Sequence, residues 1–201
     1  MKAHSDQFRF ANQTLHTYGK DTTGNVSYTF NEFGFRMDEK QSACPEIIFA
    51  GGSISFGIGV EEEDTYKGRL AAALGKTYWD ISYADSYYNN FCIYQSLVDV
   101  HKFTGDLPII VQWVSDLRNK NPKDSVYEYI NHINTLYPKH LHIYADGRES
   151  KENLRPNIFD LINPIWLDNV AKHPGPNTHR GLAKYLMKIT HDKKFFTNTI
   201  A

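Results

Sequence analysis

Short apolar runs separated by helix-length segments constrain this chain more than any other feature. Ile47-Ile48-Phe49-Ala50 is a continuous apolar run that ends in Gly51-Gly52. Ile109-Ile110-Val111 lies at the centre of a second run, from Leu107 to Trp113. A run without polar alternation suits a strand buried on both faces, as in a parallel sheet. Tyr78 to Ile81 and Leu141 to Tyr144 read as two more strands. Thr65 to Leu74 reads as a helix, with Asp64 as its N-cap, Leu70, Ala73 and Leu74 on one face, and Gly75 as its stop. Asn90 to Val100, Ser125 to Leu136 and Gly181 to Ile189 read as further helices. In the second of these, Val126, Tyr129, Ile130 and Ile133 share a face. Strand alternating with helix predicts a three-layer α/β/α sandwich around a doubly wound parallel sheet. Ligands in such folds bind beyond the carboxyl ends of the strands.

Residues 1–42 differ from the rest. They are polar and turn-rich, with one alternating stretch, Asn25 to Phe30, that suits an edge strand. We expect an N-terminal arm packed on an α/β domain of residues 43–201. A length of 201 residues fits one domain with such an arm. Twenty-two basic residues face 23 acidic ones, so the net charge is -1. That leaves no basic footprint for nucleic acid. The run from Arg118 to Lys123 is short and reads as a solvated loop. No stretch approaches the roughly 20 apolar residues of a membrane span, and Met1 to Asp6 opens without the apolar core of a signal peptide. Cys44 and Cys92 lack metal-ligand spacing and suit thiols in a reducing compartment. His140 and His142 share a strand face near Asp146, but a metal needs a third converging ligand. No metal or other cofactor is expected.

The chemistry concentrates in two segments. Gly51-Gly52-Ser53-Ile54-Ser55-Phe56-Gly57 follows the first buried strand directly. A serine in a glycine-flanked strand-to-helix turn can stand exposed as a nucleophile, with backbone amides beside it. The same segment also suits an anion-binding loop or a purely structural turn. It lacks the lysine of a P-loop and the third glycine of a dinucleotide fingerprint. The second segment is His173-Pro174-Gly175-Pro176-Asn177-Thr178-His179. A Pro/Gly-rich loop holds a histidine at low entropy cost, as a general base requires.

Together the two segments resemble the SGNH (GDSL-type) hydrolase family, which carries a Gly-x-Ser-x-x-x-Gly block after its first strand and an Asp-x-x-His-Pro block near its C-terminus. The His-Pro-Gly-Pro-x-x-His version is similar to a subgroup of small proteins found, among other places, in phages. Asn31-Glu32-Phe33-Gly34-Phe35-Arg36 and Asp64-Thr65-Tyr66 resemble stretches that flank the serine block in that family. The resemblance implies a serine esterase or deacetylase acting on a small acyl or acetyl ester, on a glycan among other carriers, in a cytoplasmic or virion-associated setting. Ser53 would attack the carbonyl and His173 would relay the proton, with His179 ranked below His173 as base. Gly52, in the same block, is expected to serve the oxyanion or substrate-binding site.

The chain departs from the family pattern at three places. Val170 stands at the acid position, and Asp168 is the nearest carboxylate. The second block has no glycine, leaving Ser86 with its amide and Asn89 or Asn90 with a side chain as oxyanion or substrate-binding groups. Val114 stands at the asparagine position of the third block, with Ser115 as a substitute and Trp113 expected to line an acyl or sugar pocket. Tyr83, Tyr87, Tyr88 and Tyr94 suit either a carbohydrate groove or packing at a helix edge. These departures keep open a second reading, an impaired module that binds glycan or another ligand in the same cleft.

Overall fold

The computed structural model describes residues 7, 9–18, 21, 23–37, 44–84, 89–114, 126–145, 169–170, 173–192 and 195–196. In chain order its elements are β1 (Thr14–Leu15), β2 (Tyr28–Thr29), β3 (Ile47–Gly51), α1 (Ser53–Phe56), a 3-10 turn (Glu62–Asp64), α2 (Tyr66–Leu74), β4 (Tyr78–Asp80), α3 (Asn90–Thr104), β5 (Ile109–Val114), α4 (Val126–Leu136), β6 (His140–Ala145), β7 (Asn169–Val170), β8 (His173–Pro174) and α5 (Pro176–Asp192).

Four strands form one parallel sheet in the order β4-β3-β5-β6. Every residue of β3 and β5 is buried, which is why β3 reads as an unbroken apolar run and β5 is apolar at every position but Gln112. Alternation along the strands divides them between two cores. Ile48, Ala50, Ile109, Val111 and Trp113 pack with Ile93, Leu97 and Val100 of α3 and Val126, Ile130 and Ile133 of α4. Ile47, Phe49, Ile110, Leu141 and Ile143 pack with Tyr66, Leu70 and Ala71 of α2 and Leu182, Ala183 and Leu186 of α5. The result is the three-layer sandwich around a parallel sheet. The earliest strand of that sheet, β3, sits between β4 and β5, so the winding reverses there. In sheets of this kind ligands bind at such a switch point, beyond the carboxyl ends of the strands, here those of β3 and β5.

Local chemistry moved several boundaries. Thr65, not Asp64, caps α2, accepting the Gly68 amide on its hydroxyl. Asp64 ends the 3-10 turn instead. The buried face of α2 comprises Tyr66, Lys67, Leu70 and Ala71, while Ala73 is exposed. The last helix begins at Pro176, a residue whose missing N–H suits a first helical position, and so takes in His179.

In the arm, β1 and β2 pair antiparallel. Val26, Tyr28 and Phe30 pack against Phe56, Ile58 and Ala84 of the domain. Asn31 turns the chain by accepting the Phe33 and Phe35 amides on its side-chain oxygen, at 3.0 and 2.9 Å. Asp21 anchors the other end, accepting hydrogen bonds from the Tyr28 hydroxyl at 2.7 Å and the Thr23 hydroxyl at 2.8 Å. Burial opposes the charge on Asp21, but these hydrogen bonds hold its carboxyl below the ordinary value of 3.8. The native state therefore gives up this proton more readily than the unfolded chain. The stabilisation is complete above pH 3.8 and is lost as pH falls through the lower native value. Asp21→Asn should lower urea stability at neutral pH and flatten the acid limb of the stability–pH curve relative to the parent protein.

Candidate active site

The end of β3 is built around two glycines with no room for a side chain. A Cβ on Gly51 would lie 2.9 Å from the Gln112 Cβ, and one on Gly52 only 2.5 Å from the Val114 Cγ1. The missing side chains let β3 and β5 converge at the switch point, with Gly51 in register with Gln112. Ser53 then opens α1 directly after β3. Its helix has no side-chain cap, because Gly52 occupies that position. Gln112 supplies the acceptor from the neighbouring strand: its Oε1 takes the Gly52 amide at 3.1 Å and the Ser55 amide at 3.4 Å. Ser53 retains 7% of its surface, whereas Ser55 is fully buried and hydrogen-bonded to the Tyr66 hydroxyl. Both serines are buried, and of the two Ser53 is the more exposed.

His173 lies in the hairpin of β7 and β8, directly opposite Val170. Residues of β8 come within 8 Å of α1, measured between Cα atoms. The fold thus brings the backbone segments of Ser53 and His173 together, and His173 is only half-buried. His179 has a different environment. It sits in α5 with 1% exposure, its ring lies parallel to Tyr66, and its Nδ1 accepts the Tyr66 amide at 3.1 Å. That acceptor role ties α2 to α5.

Asp168, Ser86 and Ser115 lie outside the described residues, as do Tyr87 and Tyr88. Asn89 caps α3, its side-chain oxygen accepting the Cys92 amide at 3.2 Å. Asn90 is fully buried and clasps the Val114 backbone, accepting from its N–H at 2.9 Å and donating to its carbonyl at 3.0 Å. Both asparagines serve the helix-to-strand junction. Trp113 is fully buried in the core and does not line an open pocket, because its position on β5 faces α3 and α4. Its Nε1 donates to His142 Nδ1 at 3.0 Å, and His142 Nε2 meets Asn134 Oδ1 at 2.7 Å. With both ring nitrogens engaged, His142 has no lone pair to offer a metal. Among the described residues, no group of three His, Cys, Asp or Glu converges on a common point. Tyr83 is buried and its hydroxyl meets Ser96, which is packing rather than a sugar platform.

Sequence reasoning missed a group of charges buried directly behind the serine turn. Arg36, Glu62, Lys67 and Asp80 are 1%, 6%, 0% and 1% exposed. Glu62 pairs with Arg36 and with Lys67, each at 3.3 Å, and accepts the Tyr78 hydroxyl at 2.8 Å. Lys67 also pairs with Asp80. Burial pushes the Glu62 carboxyl up, against the pull of Lys67 and Arg36. One signal was present in the sequence. Lys67, Leu70, Ala71 and Leu74 fall at i, i+3, i+4 and i+7, which places a lysine on an apolar helical face.

No family model matches the sequence, and no curated protein does. Solved structures do match. A member of the lipolytic G-D-S-L family from Veillonella parvula superposes with a TM-score of 0.54 and 13% identity, over 72% of this chain and 97% of the other. A psychrotrophic esterase, EstA, from Pseudoalteromonas sp., in a structure inhibited by monoethylphosphonate, gives a TM-score of 0.54 and 11% identity, over 76% of this chain and 98% of the other. The fold is the SGNH hydrolase fold of these lipolytic proteins.

The glycine packing makes a direct prediction. Gly52→Ala should destabilise the protein by about 1–3 kcal/mol through overpacking against Val114. Val114→Ala opens the space that the new methyl needs. The double variant should be less destabilised in urea than the sum of the two single changes, by about 0.5 kcal/mol or more.

Proposed function

We propose that the protein is a serine ester hydrolase of SGNH type that removes a small acyl or acetyl group through an acyl-enzyme on Ser53. One observation carries the reading: on an SGNH fold, Ser53 opens a helix at the switch point of the sheet and the strand bearing His173 lies beside it. Ser53 Oγ attacks the ester carbonyl while His173 takes its proton. The tetrahedral oxyanion is met by the Ser53 amide, since the first N–H groups of a helix have no intrahelical acceptor. Collapse breaks the bond to the alcohol, which receives the proton from His173. Water, deprotonated by the same histidine, then releases the acid and restores Ser53.

Asp168 is proposed as the group that orients His173, because Val170, at the family's acid position, carries no charge. Val114 in the third block removes a side-chain donor from the oxyanion site, at a cost of about 10²–10³ in rate if nothing replaces it. The two valines favour a second reading, a binding module that has lost turnover at the same site.

A fluorophosphonate probe separates the two. An active serine displaces fluoride at phosphorus and keeps the phosphonyl group. We expect one adduct by intact mass, mapped to Ser53 and absent in Ser53→Ala. His173→Ala should slow its formation by about 10²–10⁴-fold. No adduct on folded protein would leave the binding module as the reading. Acetate release from acetylated oligosaccharides then tests the glycan ester.

A further inference from the structure

We propose that Arg36 is a positioning residue for Ser53, holding the far end of the four-residue helix that carries the nucleophile. The inference rests on the ester-hydrolase reading of that serine. A single helical turn cannot maintain itself, because nucleation fixes several residues for one hydrogen bond. Its last carbonyls also lack intrahelical donors. At the near end of α1, Gln112 supplies the acceptor. At the far end Arg36 supplies the donors. Its Nη1 donates to the Phe56 carbonyl at 2.8 Å and the Gly57 carbonyl at 2.9 Å. Its Nη2 donates to the Val60 carbonyl at 2.8 Å and the Ser27 carbonyl at 3.3 Å. All four Nη hydrogens therefore reach backbone oxygens, and Nε faces the Glu62 carboxylate at 3.3 Å. Its positive charge stands at the negative end of α1.

The rest of the molecule fixes the guanidinium in turn. Glu62 is itself held by Lys67 and Tyr78. The Tyr28 and Phe56 rings lie 4.6 and 5.4 Å from the Arg36 guanidinium carbon. Gly57 follows α1 at φ +79°, and a Cβ there would approach Thr65 at 2.5 Å and Arg36 Nη1 at 3.2 Å. The chain thus turns back over the guanidinium at a residue that cannot carry a side chain. The Asn31 turn delivers Arg36 to this place, so the arm segment from Asn31 to Arg36 contributes to the site without facing the substrate. A lysine preserves the charge but has one nitrogen and cannot span these carbonyls. A cavity of about 190 Å³, bordered by Ser27, Thr29, Arg36, Met37, Glu62 and its two glutamate neighbours, opens beside the guanidinium. It offers a small cation a path to the place that a shortened side chain would vacate.

The test compares the parent protein with Arg36→Lys and Arg36→Ala, by fluorophosphonate labelling and by amide hydrogen exchange over residues 52–60. A misplacement of about 1 Å at a reacting centre costs roughly 10²-fold, so folded Arg36→Lys should label about 10²-fold more slowly. Its kcat on an acetyl ester should fall while KM changes little, and residues 52–60 should exchange faster than the sheet. Millimolar guanidinium should restore part of the labelling rate in Arg36→Ala and leave the parent unchanged. A folded Arg36→Lys that labels at the parental rate overturns the proposal. So does an Arg36→Ala that guanidinium refolds without restoring labelling. If the parent forms no adduct, the hydrolase reading fails by itself. Exchange then decides the role of Arg36: faster local exchange in Arg36→Lys supports it, and unchanged exchange overturns it.

Discussion

A four-residue helix that must be held from outside is the constraint on which the rest of this molecule turns. Alone, α1 has too few hydrogen bonds to repay the order it imposes. It persists because Gln112 of β5 accepts amides at its start and Arg36 of the arm donates to carbonyls at its end. Both partners come from distant parts of the chain, 60 residues from Gly52 and 20 from Phe56. This explains why the arm is more than a cover. Its aromatic residues bury Phe56, the last residue of α1, and burial of such a side chain contributes about 1.5–3 kcal/mol.

The four charges behind the turn follow the same logic. Taking ions out of water is costly, and a buried pair is often no more stabilising than apolar residues of equal volume. Removing one partner is a different matter, at about 3–5 kcal/mol, because it strands the other charge. Such a network is poor at adding stability and good at enforcing one arrangement. Here it joins Arg36, the 3-10 turn, α2 and β4 behind the serine turn. Tyr66 and His179 tie α2 to α5, the helix that follows the strand carrying His173.

Val114 fills the space above Gly52, and Val170 stands across from His173. Asn90 spends both ends of its carboxamide on the Val114 backbone, which sets the distance between α3 and β5.

The sequence alone determined the layered sheet. Strands buried on both faces must be apolar throughout, and that demand is local enough to read in Ile47 to Ala50 and Ile109 to Val111. The glycine-flanked strand-to-helix turn at Ser53 was legible because short-range backbone geometry dictates it, whereas His173-Pro174, read as part of a loop, forms β8 through pairing with β7. Boundaries were less so, since Thr65 and Asp64 compete for one cap and only the docked geometry chooses between them. The tertiary structure alone decided the positions of Arg36, Glu62, Lys67 and Asp80, and turned Trp113 inward and Gln112 toward the serine turn. Most of their partners lie more than ten residues away, from 13 between Lys67 and Asp80 to 60 between Gln112 and Gly52, and a charge or an amide chooses its place by what surrounds it after folding. Periodicity carries no trace of that choice, except where it sets Lys67 on a face that should have been apolar.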